Sequence, residues 1–452
     1  MPAPRWTPAP RPVEIQCVNP PTPSQRRRLL VVSYWFPPAV GAAAERMASF
    51  VKYLPLHGWD VDVLTARHGD VSEVRTADEA GGSPDGLITA VPDPWQRRRA
   101  VIQPYDPRAK GPPRWRRWLR DLVFPDRFKR WANDALWMGI DEIGHDHPNM
   151  ILASFPPASA AQLGLRLHEK TGVPLVLDLR DKWLGPGGYE PMTARARRRH
   201  EDLERRAVAA ATGIIGVSDT LVRDVAVRCG FDLAKTAVVH NGFEPIETPG
   251  PSPRRADSPG KFVIAHVGTV IPRNRPDLFF DSLQSAAGLG DVEFRFVGNL
   301  SNDYVRSLGL GGLLTATGLV PRDAARAAMF EADALLLLTG DYVARWGYSV
   351  KLFEYLQTGR PILCLEESPD SNDARLLRDL APDRAFIGRL GDPASLVEQE
   401  KNLRRWMQQH LEAPASATFA LDQAEAHNRL CPFNRAKQAG ELAAFLSGLS
   451  VR

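Results

Sequence analysis

Tyr348-Ser349-Val350-Lys351-Leu352-Phe353-Glu354-Tyr355-Leu356-Gln357-Thr358-Gly359-Arg360-Pro361 reads as a short helix closed by glycine and proline, and the apolar Ile362-Leu363-Cys364-Leu365 after it reads as a strand. Ser349 stands at an N-cap position and Gly359 at C′. Before it, Ala334 to Leu338 is a continuous apolar run of the kind found in buried parallel strands. Strand, loop and capped helix in this order bring free N–H groups and the positive end of the helix dipole to the carboxyl edge of a parallel sheet. That arrangement binds phosphate. Glu354, about one turn inside the helix, is placed to take two neighbouring hydroxyls of a ribose. The same pattern also describes an ordinary β/α crossover with Glu354 on a solvated face.

The same alternation runs through the rest of the chain. Leu29 to Ser33 is a strand, Tyr34 to Gly41 a loop, and from Ala42 a helix presents Met47, Phe50, Val51 and Leu54 on one face before the strand Trp59 to Thr65. The loop lacks G-x-G-x-x-G, which speaks against a nicotinamide dinucleotide. Gly41 either lets backbone approach a phosphate or makes a tight turn. Further strands are Ile151 to Ser154 and Leu175 to Leu177, the latter ending in Asp178-Leu179-Arg180-Asp181-Lys182-Trp183. Polar residues past a strand's carboxyl end either touch a ligand or form an Asp–Arg pair that fixes the loop. Thr248 to Gly260 has a linker's composition. Alternation then restarts with strands at Phe262 to Val267, Val292 to Val297 and Leu314 to Thr317. The expected organisation is a disordered tail (1–27), a first Rossmann-like domain (28–245), a linker (246–260), a second such domain (261–434), and a terminal helix (435–452) returning to the first. The fold class is α/β, with two doubly wound parallel sheets facing across a cleft.

The 452 residues leave room for two or three domains, and 44% hydrophobic with 24% charged residues fits a globular protein. A net charge of +4 gives no bulk argument for nucleic acid. The four scattered cysteines form no C-x-x-C pair, so neither a zinc site nor a disulfide framework is expected, and a reducing cytoplasm fits. No apolar run reaches the roughly 18 residues of a membrane span, and the amino terminus has no signal-peptide core. Asp60-Val61-Asp62 imitates a metal-binding D-x-D but falls inside or at the start of a strand. Residues 67–113 read as a long variable loop or insertion. Residues 114–131 interleave Arg and Trp at helical spacing, which suits an anionic membrane face or a helix that packs its tryptophans inward.

Taken together, Ser33-Tyr34-Trp35-Phe36-Pro37-Pro38 with Gly41, Ser154-Phe155-Pro156-Pro157, Asp178-Leu179-Arg180-Asp181, His266-Val267-Gly268-Thr269, Gly318-Leu319-Val320-Pro321 and the 349–361 stretch resemble the retaining glycosyltransferase family 4, of the GT-B fold. The resemblance covers Arg28 to about Leu446. It implies a nucleotide-diphosphate sugar bound mainly by the second half. Gly41, Gly268, Thr269, Arg273, Val320, Ser349, Lys351, Leu352 and Glu354 would lie on the donor, with Glu354 matching the second Glu of the family's Glu-x7-Glu and Val320 meeting the base. Arg275 would grip the diphosphate as the main catalytic cation. Asp181 would position the acceptor, a glycan or lipid-linked glycan, beside Ser154, Pro156 and Arg180. No metal or other cofactor is implied. Three positions depart from the pattern: Trp346 replaces the first Glu, Thr269 replaces an Arg, and Ser154-Phe155-Pro156 replaces a His. A nucleotide-sugar epimerase on the same architecture and a non-catalytic nucleotide-sugar scaffold are the alternatives. The family also implies work on cell-surface polysaccharide or glycolipid, at the cytoplasmic membrane face.

Overall fold

The computed structural model describes residues 26–39, 41–68, 74–76, 86–93, 104–109, 113–185, 188–191, 193–245, 261–285, 291–368, 370–390 and 430–450, with a few single positions from 402 to 409. The amino-terminal lobe is built from β1 (Arg27–Ser33), α1 (Ala42–Tyr53), β2 (Trp59–Ala66), β3 (Val74–Thr76), β4 (Leu87–Val91), α2 (Arg114–Arg120), α3 (Lys129–Asp146), β5 (Met150–Phe155), α4 (Ala158–Thr171), β6 (Leu175–Leu179), α5 (Ala194–Ala210), β7 (Ala211–Gly216), α6 (Asp219–Cys229) and β8 (Thr236–Val238). The second lobe follows with β9 (Phe262–Val267), α7 (Pro276–Ser285), β10 (Val292–Val297), α8 (Asn302–Ser307), β11 (Leu314–Gly318), α9 (Arg322–Glu331), β12 (Ala334–Thr339), α10 (Asp341–Trp346), α11 (Val350–Thr358), β13 (Ile362–Glu366), α12 (Asn372–Leu380) and β14 (Ala385–Arg389). A last helix, α13, spans Arg435–Ser450.

Two separate sheets result. Their strand orders are β3-β4-β2-β1-β5-β6-β7-β8 and β11-β10-β9-β12-β13-β14, parallel throughout except for the short edge strand β3. Alternate residues of each central strand serve opposite cores. Leu30 and Val32 pack with α3, α4 and α5, whereas Leu29 and Val31 pack with α1 and with Ala439, Leu442 and Leu446 of α13. The carboxyl-terminal helix therefore completes the core of the first lobe. In the second lobe Ile264 and Leu336 face α7, while Ala265, Leu335 and Leu337 face α9, α11 and α12.

Several expectations change. The tail is shorter than 27 residues, because β1 begins at Arg27 and Arg26 pairs with Asp60 at 2.6 Å. Residues 1–25 and the linker at 246–260 lie outside the described residues. The 67–113 segment is more than a loop: it supplies β3 and β4. It also supplies a strap in which Tyr105 bridges to the second lobe, its N–H donating to the Asn299 carbonyl at 2.6 Å and its carbonyl accepting from Ser301 N–H at 2.9 Å. Asp60 is held by Arg26, and Asp62 by the Leu87 N–H at 2.9 Å and Arg28, so the D-x-D carboxylates serve the fold. Of the Arg/Trp segment, Trp131 is fully buried in the core whereas Trp115 and Trp118 are exposed. No helix among the described residues is long and apolar enough to cross a membrane.

Candidate active site

At the carboxyl edge of the second sheet, α11 starts after Ser349 and ends at Gly359, whose φ of 70° closes the helix in the left-handed region. The Ser349 hydroxyl makes no capping bond. Instead its backbone N–H donates to the buried Asp373 carboxylate at 3.0 Å, which fixes the helix entrance from below. Burial raises the Asp373 pKa to about 7, and the Thr339 hydroxyl donates to its other oxygen at 3.1 Å.

Lys351 leaves the first turn of α11 and lies across the loop after β9. Its Nζ donates to the Thr269 carbonyl at 3.0 Å. A Cβ on Gly268 would stand 2.7 Å from Lys351 Cε, and the Gly268 φ of +119° independently demands glycine. Burial pulls the Lys351 pKa down to about 8, with Glu354 opposing the shift. His266, beneath the same loop, is held neutral by burial and by Lys351, at about 3. Lys351 thus sets an ammonium at the mouth of α11, one turn from Glu354.

Glu354 faces the first lobe. Burial and then the charge of Glu45 on α1 push its carboxyl above the usual range. Glu45 is paired with Arg435 at 3.0 Å and with Arg322 of α9 at 3.6 Å. The amino end of α1, with Gly41 at its cap (φ +130°), therefore faces α11 across the cleft. Val320 packs beside the core under α11.

The first lobe answers with a bonded chain. Arg46 of α1 pairs with the buried Asp178 at 2.8 Å and donates to the Val239 and His240 carbonyls. Asp178 also accepts from Ser154 Oγ at 2.8 Å. Ser154 Oγ accepts from Arg180 Nε at 2.9 Å, and Arg180 Nη2 donates to the Pro156 carbonyl. Asp181 reaches the cleft, accepting from Tyr342 Oη at 3.1 Å and lying 3.8 Å from Arg273. Burial raises its pKa above that of an ordinary carboxylate.

The residues expected at the site do not all play the parts expected of them. The Arg275 guanidinium, expected to grip the diphosphate, pairs here with Asp277 and Glu367. A left-handed φ of 50° at Arg275 turns the chain, and Arg273 instead lies 4.8 Å over the Tyr342 ring of its own lobe and reaches to 3.8 Å from Asp181 across the cleft. Leu352 is fully buried, so only its backbone faces the pocket. Ser154 is also fully buried and orients Arg180 and Asp178 rather than meeting an acceptor. Tyr342, Glu45, Asp373 and Arg46 were missed, and Glu45 and Arg46, just inside α1 after Gly41, carried the clearest signal. Trp346, at the first Glu's place, docks on the first lobe: its carbonyl accepts from Ser218 Oγ at 2.7 Å, and Lys182 Nζ lies 4.3 Å from its ring.

Two open parallel sheets whose carboxyl edges meet across a cleft, closed by a carboxyl-terminal helix that returns to the first lobe, define a GT-B protein. The chain superposes on sucrose-phosphate synthase from Thermosynechococcus elongatus with a TM-score of 0.63 at 14% identity, covering 94% of this chain and 100% of that one. Anabaena HepE in complex with UDP-glucose gives 0.58 at 16% identity over 93% and 99%. A glycosyltransferase from Rickettsia africae gives 0.59 at 11% identity over 94% and 98%. Residues 41–242 match the glycosyl transferase 4-like domain, which spans most of the first lobe. No curated protein sequence matches it.

Proposed function

We propose that the protein transfers a sugar from a nucleotide-diphosphate sugar to an acceptor hydroxyl, with the anomeric configuration retained and no metal required. The observation that carries this reading is Lys351 lying over Gly268 at the mouth of α11, with Glu354 one turn beyond. The diphosphate sits at the helix mouth, where Lys351 and the first N–H groups of α11 face its oxygens. Glu354 takes the ribose hydroxyls, and the backbone at Val320 meets the base. As the bond from the anomeric carbon to the phosphate oxygen breaks, negative charge grows on the diphosphate and Lys351 stabilises it. The acceptor oxygen bonds the same face of that carbon, and its proton passes to the departing phosphate oxygen. Arg273 and Asp181 line the acceptor side.

The acceptor we assign is a glycan or lipid-linked glycan of the cell surface, handled at the cytoplasmic face of the membrane. A UDP-sugar ranks first as donor, since HepE is seen with UDP-glucose. A thermal-shift panel of UDP-, GDP-, dTDP- and ADP-sugars, followed by donor hydrolysis, tests the reading. One nucleotide class should stabilise the protein by several degrees and be turned over. Stabilisation by none of them would overturn it.

A further inference from the structure

Among the described residues eleven large apolar side chains are exposed, and five of them fall between positions 115 and 123: Trp115, Trp118, Leu119, Leu122 and Val123. Trp115, Trp118, Leu119 and Leu122 stand at i, i+3, i+4 and i+7, the spacing that normally turns one stripe of a helix into a core. Here the stripe faces solvent, with Trp115 59% and Leu122 60% exposed. The segment is also firmly held. The turns continue past α2 through Leu122 N–H to the Leu119 carbonyl and Val123 N–H to the Arg120 carbonyl.

Its two acids point inward. Asp121 accepts from Thr193 N–H at 2.8 Å and Thr193 Oγ1 at 3.0 Å. Asp126 accepts from Ser159 N–H at 2.9 Å and Tyr189 Oη at 2.8 Å. Arg120, Arg127 and Lys129 are left on the outside. The outward face of the segment is therefore aromatic, aliphatic and cationic. A second copy docked about a two-fold axis would set these cations against one another. An anionic lipid surface satisfies both halves of the patch, with indoles in the interfacial layer and guanidinium groups on the headgroups.

We propose that residues 115–129 form a docking surface for an anionic bilayer. The segment continues into Phe128, whose ring lies 4.0 Å from Tyr34 and 6.0 Å from Trp35 in the loop that ends at Gly41. Docking through this surface holds the cleft edge of the first lobe close to the lipid. The inference goes beyond the transfer reaction and is read without donor, so its failure would leave that reaction untouched.

The full chain is sedimented with phosphatidylcholine vesicles, with and without phosphatidylglycerol. Binding is expected with anionic vesicles only and should fall as salt is raised. Trp115→Ser with Trp118→Ser should weaken it by about tenfold or more, with an unchanged thermal melt because both side chains are exposed. Arg120→Gln should weaken it roughly fivefold. No binding to anionic vesicles, or full binding by the double variant, would overturn the proposal. So would a native dimer that the double variant dissolves, which would give the surface to a second copy.

Discussion

The two sheets present their carboxyl edges to one cleft, yet the edges are wired differently. In the first lobe Arg46, Asp178, Ser154 and Arg180 bond one another or backbone carbonyls in an unbroken chain. In the second lobe the Lys351 ammonium has a carbonyl for company, and among the described residues the Glu354 carboxylate accepts no hydrogen bond. A group bonded on all sides has no capacity left for a ligand. A desolvated charge with few partners is where a ligand gains most. On the proposed reading the first edge chiefly holds the fold, with Asp181 reaching the cleft, and the second edge supplies most of the donor contacts.

If that division holds, the largest stability loss belongs to the scaffold. Arg46→Ala removes the ion-pair partner of a fully buried carboxylate and leaves it only the Ser154 hydroxyl and the more distant Arg180, a change that costs about 3 kcal/mol. Urea unfolding checks this. A loss below about 1 kcal/mol would mean that the buried pair is not what holds the edge.

The second edge should behave in the opposite way, losing activity with little loss of stability. Lys351→Ala should lower kcat/KM by roughly 10²–10³-fold, the usual consequence of removing one preorganised stabiliser of oxyanion charge, while the melting temperature holds or rises because a buried ammonium is gone. Arg275→Ala, whose guanidinium already serves Asp277 and Glu367, should cost less than about tenfold. Because the Lys351 pKa is lowered to about 8, its charge is present below that pH and lost above it. kcat/KM for donor should therefore decline as pH rises through about 8. Lys351→Arg, charged at any working pH, should abolish that decline. An equal loss in the Arg275 variant, or a flat pH profile, would put the catalytic cation elsewhere.

Local signals account for what the sequence made legible. The β/α alternation and the helix that carries Lys351 and Glu354 follow from periodicity and capping within about ten residues, whereas Gly268 comes only with the family resemblance and Gly41 reads equally as a tight turn. What stayed hidden depends on distance or on very short elements. Arg46 and Asp178 are 132 positions apart, so no local pattern links them. β3 has three residues and lies within a Gly- and Asp-rich stretch, and the Tyr105 strap is a single bridge. Arg273 and Arg275 look equivalent on paper. One left-handed residue sends them to different partners.

Tyr342 offers the finest test, because it joins the two edges. Its hydroxyl donates to Asp181 at 3.1 Å and accepts from the Lys182 N–H at 3.0 Å, while Arg273 lies over its ring. The two hydrogen bonds cross between lobes, from α10 to the loop after β6, and the ring contact with Arg273 lies within the second lobe. Tyr342→Phe keeps the ring and its cation contact but removes both hydrogen bonds. The exposed rim around Arg273 lets water replace part of them, so the net loss is about 1 kcal/mol, or roughly fivefold in the closed-to-open ratio. Since a donor held from both sides needs the closed state, its KM should rise severalfold while kcat changes little. The apo protein should show a slightly larger radius of gyration in solution scattering. A fall in kcat at constant KM would instead place Tyr342 among the groups that act on the reacting atoms, and the scaffold edge would then have to be credited with part of the chemistry.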